Sequence, residues 1–140
     1  MKKYLLETST CSFLMVNDSQ VQSHLASVKT TDYVFTCTIV RGEILFGIER
    51  LPQGQKRQSL ENQALKLFTK LPCEGISKEV SDEYARIKYQ AEKQGTPLAE
   101  NDLWIAATAL TYDAILVTSD SDFQRISGLG LCLEDWTKTP

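Results

Sequence analysis

Histidine is nearly absent from this 140-residue chain. His24 is the only one. That excludes most zinc sites built from several imidazoles and most histidine-centred proton relays. His24 falls in a polar segment, where we expect a surface residue. The four cysteines, Cys11, Cys37, Cys73 and Cys132, are scattered and form no C-x-x-C pair. Each lies in or beside an apolar segment, so we expect small buried hydrophobes rather than disulfides. No apolar run approaches the length of a membrane span. The apolar start Tyr4-Leu5-Leu6 is stopped by Glu7, too early for a signal peptide, and we expect a cytoplasmic protein. No linker, repeat or low-complexity tract divides the chain, which suits one domain over residues 1–140.

Charge of one sign is also lacking, since the net charge is −3. Its distribution is uneven. Between Arg41 and Lys70, six basic residues face three acidic ones, a local excess of +3. Such a face suits a phosphate backbone or is an ordinary solvated helix surface.

What the chain does have is alternation. Lys3–Leu6, Tyr33–Thr38, Ala114–Val117 and Leu131–Glu134 are short apolar or β-branched runs that predict strands, with Cys73–Ile76 a weaker one. Thr8 or Ser9 is expected to cap a short helix, and Asp18 or Ser19 the next. Helices are expected over about Ile39–Leu51, stopped by Pro52, over Gln55–Lys70, and from the cap Ser77 to near Gly95. Apolar residues of the helical segments, including Phe13, Leu14 and Met15 and, in the segment NDLWIAATAL, Trp104, are expected to be mostly core. Alternating strands and helices predict an α/β fold with a short, mainly parallel sheet flanked by helices. Functional groups in such sheets gather beyond the carboxyl ends of the strands.

Four carboxylates occupy unusual positions. Glu7 ends an apolar strand. Glu43 sits within Ile39–Gly47, an apolar helical stretch. Asp102 opens the helix of NDLWIAATAL and shares a face with Ile105, Ala106 and Ala109. Asp120 follows the strand of LVTSDSDF. Each has an ordinary explanation alone: a strand end, a surface pair with Arg50, a helix dipole with Asn101 as cap, a turn cap. Together at one rim they would repel one another and raise their pKa values unless a hard cation joined them.

YLLETS, the helix around Glu43, NDLWIAATAL and LVTSDSDF together resemble PIN-domain proteins, and in particular VapC-type toxins of type II toxin–antitoxin systems. The resemblance covers nearly the whole chain. It implies a metal-dependent endoribonuclease in which Glu7, Glu43, Asp102 and Asp120 surround Mg²⁺ or Mn²⁺. Glu7, Asp102 and Asp120 would hold the ion, and Glu43 would bind it or orient water. Thr118 would support the site, with Asp122 a lesser contributor. Arg41, Arg50 and Arg86 are candidates for contact with the RNA backbone. The implied partners are an RNA substrate, a VapB-type antitoxin and a second copy of the chain, with no membrane. One departure stands out, because the family pattern has Asp where this chain has Glu7. A catalytically impaired RNA- or protein-binding module of the same fold is the alternative. Receiver domains and haloacid-dehalogenase-like phosphatases fit worse, since Glu7-Thr8-Ser9 stands where the phosphatases need D-x-D.

Overall fold

The computed structural model describes residues 1–139. Five parallel strands form one sheet: β1 (Lys3–Leu6), β2 (Tyr33–Cys37), β3 (Cys73–Glu74), β4 (Ile115–Val117) and β5 (Leu133–Glu134). Their order is β3-β2-β1-β4-β5. Tyr4 lies between Val34 and Ile115, and Leu6 pairs with Val117. From β1 the chain builds outward through β2 and β3, then crosses back to place β4 on the other side of β1. The β1–β4 boundary is therefore a topological switch point, where crossover connections diverge and leave a crevice at the strands' carboxyl ends.

The helices are α1 (Thr8–Met15), α2 (Ser19–Ser27), α3 (Thr38–Glu49), α4 (Gln55–Lys70), α5 (Lys78–Lys93) and α6 (Glu100–Tyr112). A 3₁₀ helix covers Ser121–Leu129. The α/β expectation holds, and most boundaries fall within a residue or two. The last strand begins at Leu133 rather than Leu131, and Cys73–Glu74 is all that pairs of the third.

Leu5, Leu6, Phe35, Leu116 and Val117 fill the centre of the core. Leu103, Ile105, Ala106, Ala107 and Ala109 are buried, packing α6 against α5 and against β1 and β4 of the sheet. Small alanines allow this close approach while retaining high helix propensity. The helix stops at Asp113, whose φ is +53°, a left-handed conformation that Asp tolerates better than most residues. Its amide donates to Leu110 O, and Ala114 N donates to Ala109 O, closing a Schellman motif that turns directly into β4.

Two cysteine expectations are corrected. Cys11 and Cys37 are buried, whereas Cys73 and Cys132 are exposed because β3 and the start of β5 lie at the sheet's edges. His24 is half-buried rather than on the open surface, since its ring stacks on Trp136. Leu14 and Met15 join the core, and Phe13 and Trp104 pack against it, the latter stacked on Tyr84.

Candidate active site

The first strand delivers Glu7 to the switch point, and the fourth delivers Thr118 and Asp120. The Glu7 amide donates to Val117 O at 3.0 Å, so the two strand ends are fastened together. The Thr10 hydroxyl donates to the same carbonyl at 2.8 Å. Helix α3 brings Glu43, and the first turn of α6 brings Asp102. Glu7, Glu43, Asp102 and Asp120 all line one pocket of about 640 Å³ with Thr8, Ser9, Ala99, Glu100 and Asn101. None of these lining residues is basic.

Asp102, Asp120 and Asp122 each offer a carboxylate oxygen within 4.8 Å of the others. Glu7 and Glu43 line the pocket outside that group. Burial, followed by the charge of Asp120 and then of Glu43, Glu7 and Asp122, pushes the Asp102 carboxyl up to about 6 from 3.8. This is the electrostatic cost expected where acids converge with no cation among them. The donor set is all carboxylate, without thiolate or imidazole, which fits a hard divalent cation such as Mg²⁺ or Mn²⁺.

Glu7 is 5% exposed and caps α1, a position that Ser, Thr, Asp and Asn fill more readily. The expected caps, Thr8 and Ser9, lie inside the helix instead. Glu7 Oε1 accepts from Ser9 N (3.0 Å), Ser9 Oγ (2.6 Å) and Thr118 Oγ1 (2.6 Å). Thr118 Oγ1 in turn accepts from Asp120 N, and Ser9 Oγ accepts from Ser119 N, both at 3.0 Å. Asp120 Oδ1 accepts from Asp122 N at 2.9 Å, so Asp120 also caps the 3₁₀ helix. Asp122 pairs with Arg125 at 3.4 Å.

Glu43 is held by its two oxygens. Thr8 Oγ1 donates to Oε1 at 2.5 Å, and Asn101 Nδ2 donates to Oε2 at 3.3 Å. Asn101 is therefore not the expected cap of α6. Ala99 holds that position, without a side-chain bond, and Asn101 reaches across to α3. Thr8, Ser9 and Asn101 escaped the sequence reading because each forms its contact through a particular fold, although Ser9 stands two residues beyond the oddly placed Glu7. Glu100 escaped it as well. Its carboxylate is held by Lys88 and Tyr84, and both bonds lower its pKa.

The three arginines separate. Arg50 lines a groove beside the pocket with Glu43, Phe46 and Asn101. Arg41 lies over the Phe68 ring, and Arg86 is paired with Glu83 at 2.7 Å on α5.

The PIN domain family model matches residues 4–129. Ribonuclease VapC1 of Haemophilus influenzae strain R2866 is 28% identical over 138 residues, covering 96% of this chain and 98% of that relative. Ribonuclease VapC of Rickettsia bellii is 39% identical over 102 residues, 70% of this chain and 74% of that relative. The solved structure of VapBC-1 from nontypeable Haemophilus influenzae is 28% identical, with a TM-score of 0.82, covering 97% of this chain and 99% of that one. VapBC2 from Rickettsia felis, solved with a DNA fragment from its promoter, has a TM-score of 0.85 at 24% identity, over 96% of this chain and 98% of that one. That likeness shows a shared fold.

Proposed function

Because this chain belongs to the PIN domain family, we propose that it is a metal-dependent endoribonuclease, the toxin of a VapBC-type toxin–antitoxin pair. The observation that carries this reading is the pocket at the β1–β4 switch point, lined by carboxylates from two strand ends and two helices and by no basic side chain.

Asp102 and Asp120 would hold Mg²⁺ or Mn²⁺ there. Such a cation would supply Lewis acidity, activating water and offsetting charge on the scissile phosphate. Glu43, fixed through both oxygens by Thr8 and Asn101, orients the attacking water and receives its proton. In-line attack leaves a 5′-phosphate and a 3′-hydroxyl. No side chain serves as nucleophile, which suits a site without histidine or cysteine. Arg50 is placed to meet the RNA backbone beside the pocket, and such a contact orients without reading sequence.

The antitoxin covers the adjoining groove along α3, where Phe46 is 63% exposed. A second copy of the chain completes a homodimer. No described helix is long and apolar enough to cross a membrane. RNA cleavage under antitoxin control places the protein in the cytoplasm.

The position of Glu7 outside the three-aspartate group favours one second reading, an RNA- or protein-binding module impaired in catalysis. Incubating the protein with RNA in Mg²⁺ or Mn²⁺, with and without a chelator, separates the two. Metal-dependent cleavage supports the nuclease, and RNA association with neither Mn²⁺ binding nor cleavage supports the module.

A further inference from the structure

We infer that Glu7 acts as a buried positioning residue rather than as a ligand, and that Asp122 takes its place beside Asp102 and Asp120 around the cation. This inference rests on the metal-dependent reading above.

The hydrogen-bond directions carry the argument. Ser9 Oγ and Thr118 Oγ1 each have one proton, and both protons point to Glu7 Oε1 at 2.6 Å. Their lone pairs are therefore turned to the amides of Ser119 and Asp120, each at 3.0 Å. A hydroxyl can serve as donor and acceptor at once, and its direction is fixed here from both ends, by an amide that only donates and a carboxylate oxygen that only accepts. Glu7 is that partner. Through two hydroxyls, one buried oxygen sets the path of the turn that carries Asp120. Asp120 Oδ1 then holds the amide of Asp122, so the orientation passes on to the third aspartate.

Chain length at position 7 makes this possible. The longer glutamate folds back onto the start of its own helix, capping Ser9 N and reaching the Thr118 hydroxyl across the β1–β4 boundary. Its Oε1 is thereby engaged by three donors, and the group of carboxylates within 4.8 Å of one another is Asp102, Asp120 and Asp122, without Glu7. Oxygens that orient ligands from behind are commonly as important to a metal site as the ligands themselves.

The test is Mn²⁺ affinity, read by electron paramagnetic resonance of the free ion, with thermal melting as the check on folding. Glu7→Gln keeps an oxygen acceptor and removes the negative charge that a ligand would need. It is expected to bind Mn²⁺ within about fivefold of wild type, whereas Asp122→Asn and Asp102→Asn each lose more than about thirtyfold. Glu7→Ala, which removes the acceptor, is expected to lose about tenfold or more, so that glutamine rescues what alanine destroys. Thr118→Val breaks the same relay without touching a carboxylate and is expected to match Glu7→Ala. Glu7→Gln as deficient as Asp102→Asn, with Asp122→Asn close to wild type, overturns the inference while leaving the metal site standing. Wild-type protein that binds no Mn²⁺ overturns the metal-dependent reading and this inference together.

Discussion

The Thr118 hydroxyl donates to Glu7 Oε1 at 2.6 Å, joining the ends of two strands that are 111 residues apart in sequence. Thr118 is only 5% exposed. Replacing it by alanine leaves a buried carboxylate oxygen short of a donor and the Asp120 amide short of an acceptor. The expected cost is about 1–3 kcal/mol of stability, with serine restoring most of it. Chemical denaturation of the two variants measures this. Equal stability of Thr118→Ala and wild type would show that the relay contributes nothing to the fold.

Asp102 makes stability depend on pH. Its carboxyl titrates near 6 in the folded protein against an ordinary value of 3.8. The unfolded chain therefore releases this proton first as pH rises. The stabilisation from this group is fully present below the unfolded value and is lost as pH climbs from about 4 to about 6. Metal-free protein should accordingly lose melting temperature over that interval, and Asp102→Asn should flatten the slope. Mn²⁺ affinity should run the other way, rising with pH to about 6 and levelling above it, because the ion requires the ionised carboxylate. A metal-free melting profile unchanged by Asp102→Asn would contradict the assigned source of the shift.

Asn101 bridges α6 to α3 through Glu43 Oε2 at 3.3 Å. If Glu43 orients the attacking water, freeing one of its oxygens should slow turnover without weakening RNA binding. Asn101→Ala is expected to lower kcat about tenfold with KM nearly unchanged, a loss within the usual range for a disturbed general base. A rise in KM at constant kcat would instead place Asn101 among the RNA contacts.

Much of this architecture was legible in the sequence because it depends on local rules. Short runs rich in apolar residues mark β1, β2 and β4, proline and glycine stop α3, and Ser77 caps α5. Asp102 stood out because it opens an apolar helix, and Asp120 because it follows an apolar strand. The hidden part depends on contacts between distant segments. Glu7 as a helix cap runs against cap preferences and is explained by Thr118, more than a hundred residues away. Asn101 resembled a helix cap, and its bond to α3 exists only once α3 and α6 are packed together. Cys73 and Cys132 had apolar neighbours, but the neighbours' burial did not extend to them at the edges of the sheet.

The central claim is that the acidic pocket cleaves RNA with a divalent cation. It is tested most directly by digesting a defined RNA with wild type and Asp102→Asn in Mn²⁺, with a chelator control, and determining the ends of the fragments. The account predicts cleavage by wild type alone, abolished by the chelator, with 5′-phosphate and 3′-hydroxyl ends. Cleavage that persists in the chelator, or in Asp102→Asn at the wild-type rate, would contradict it.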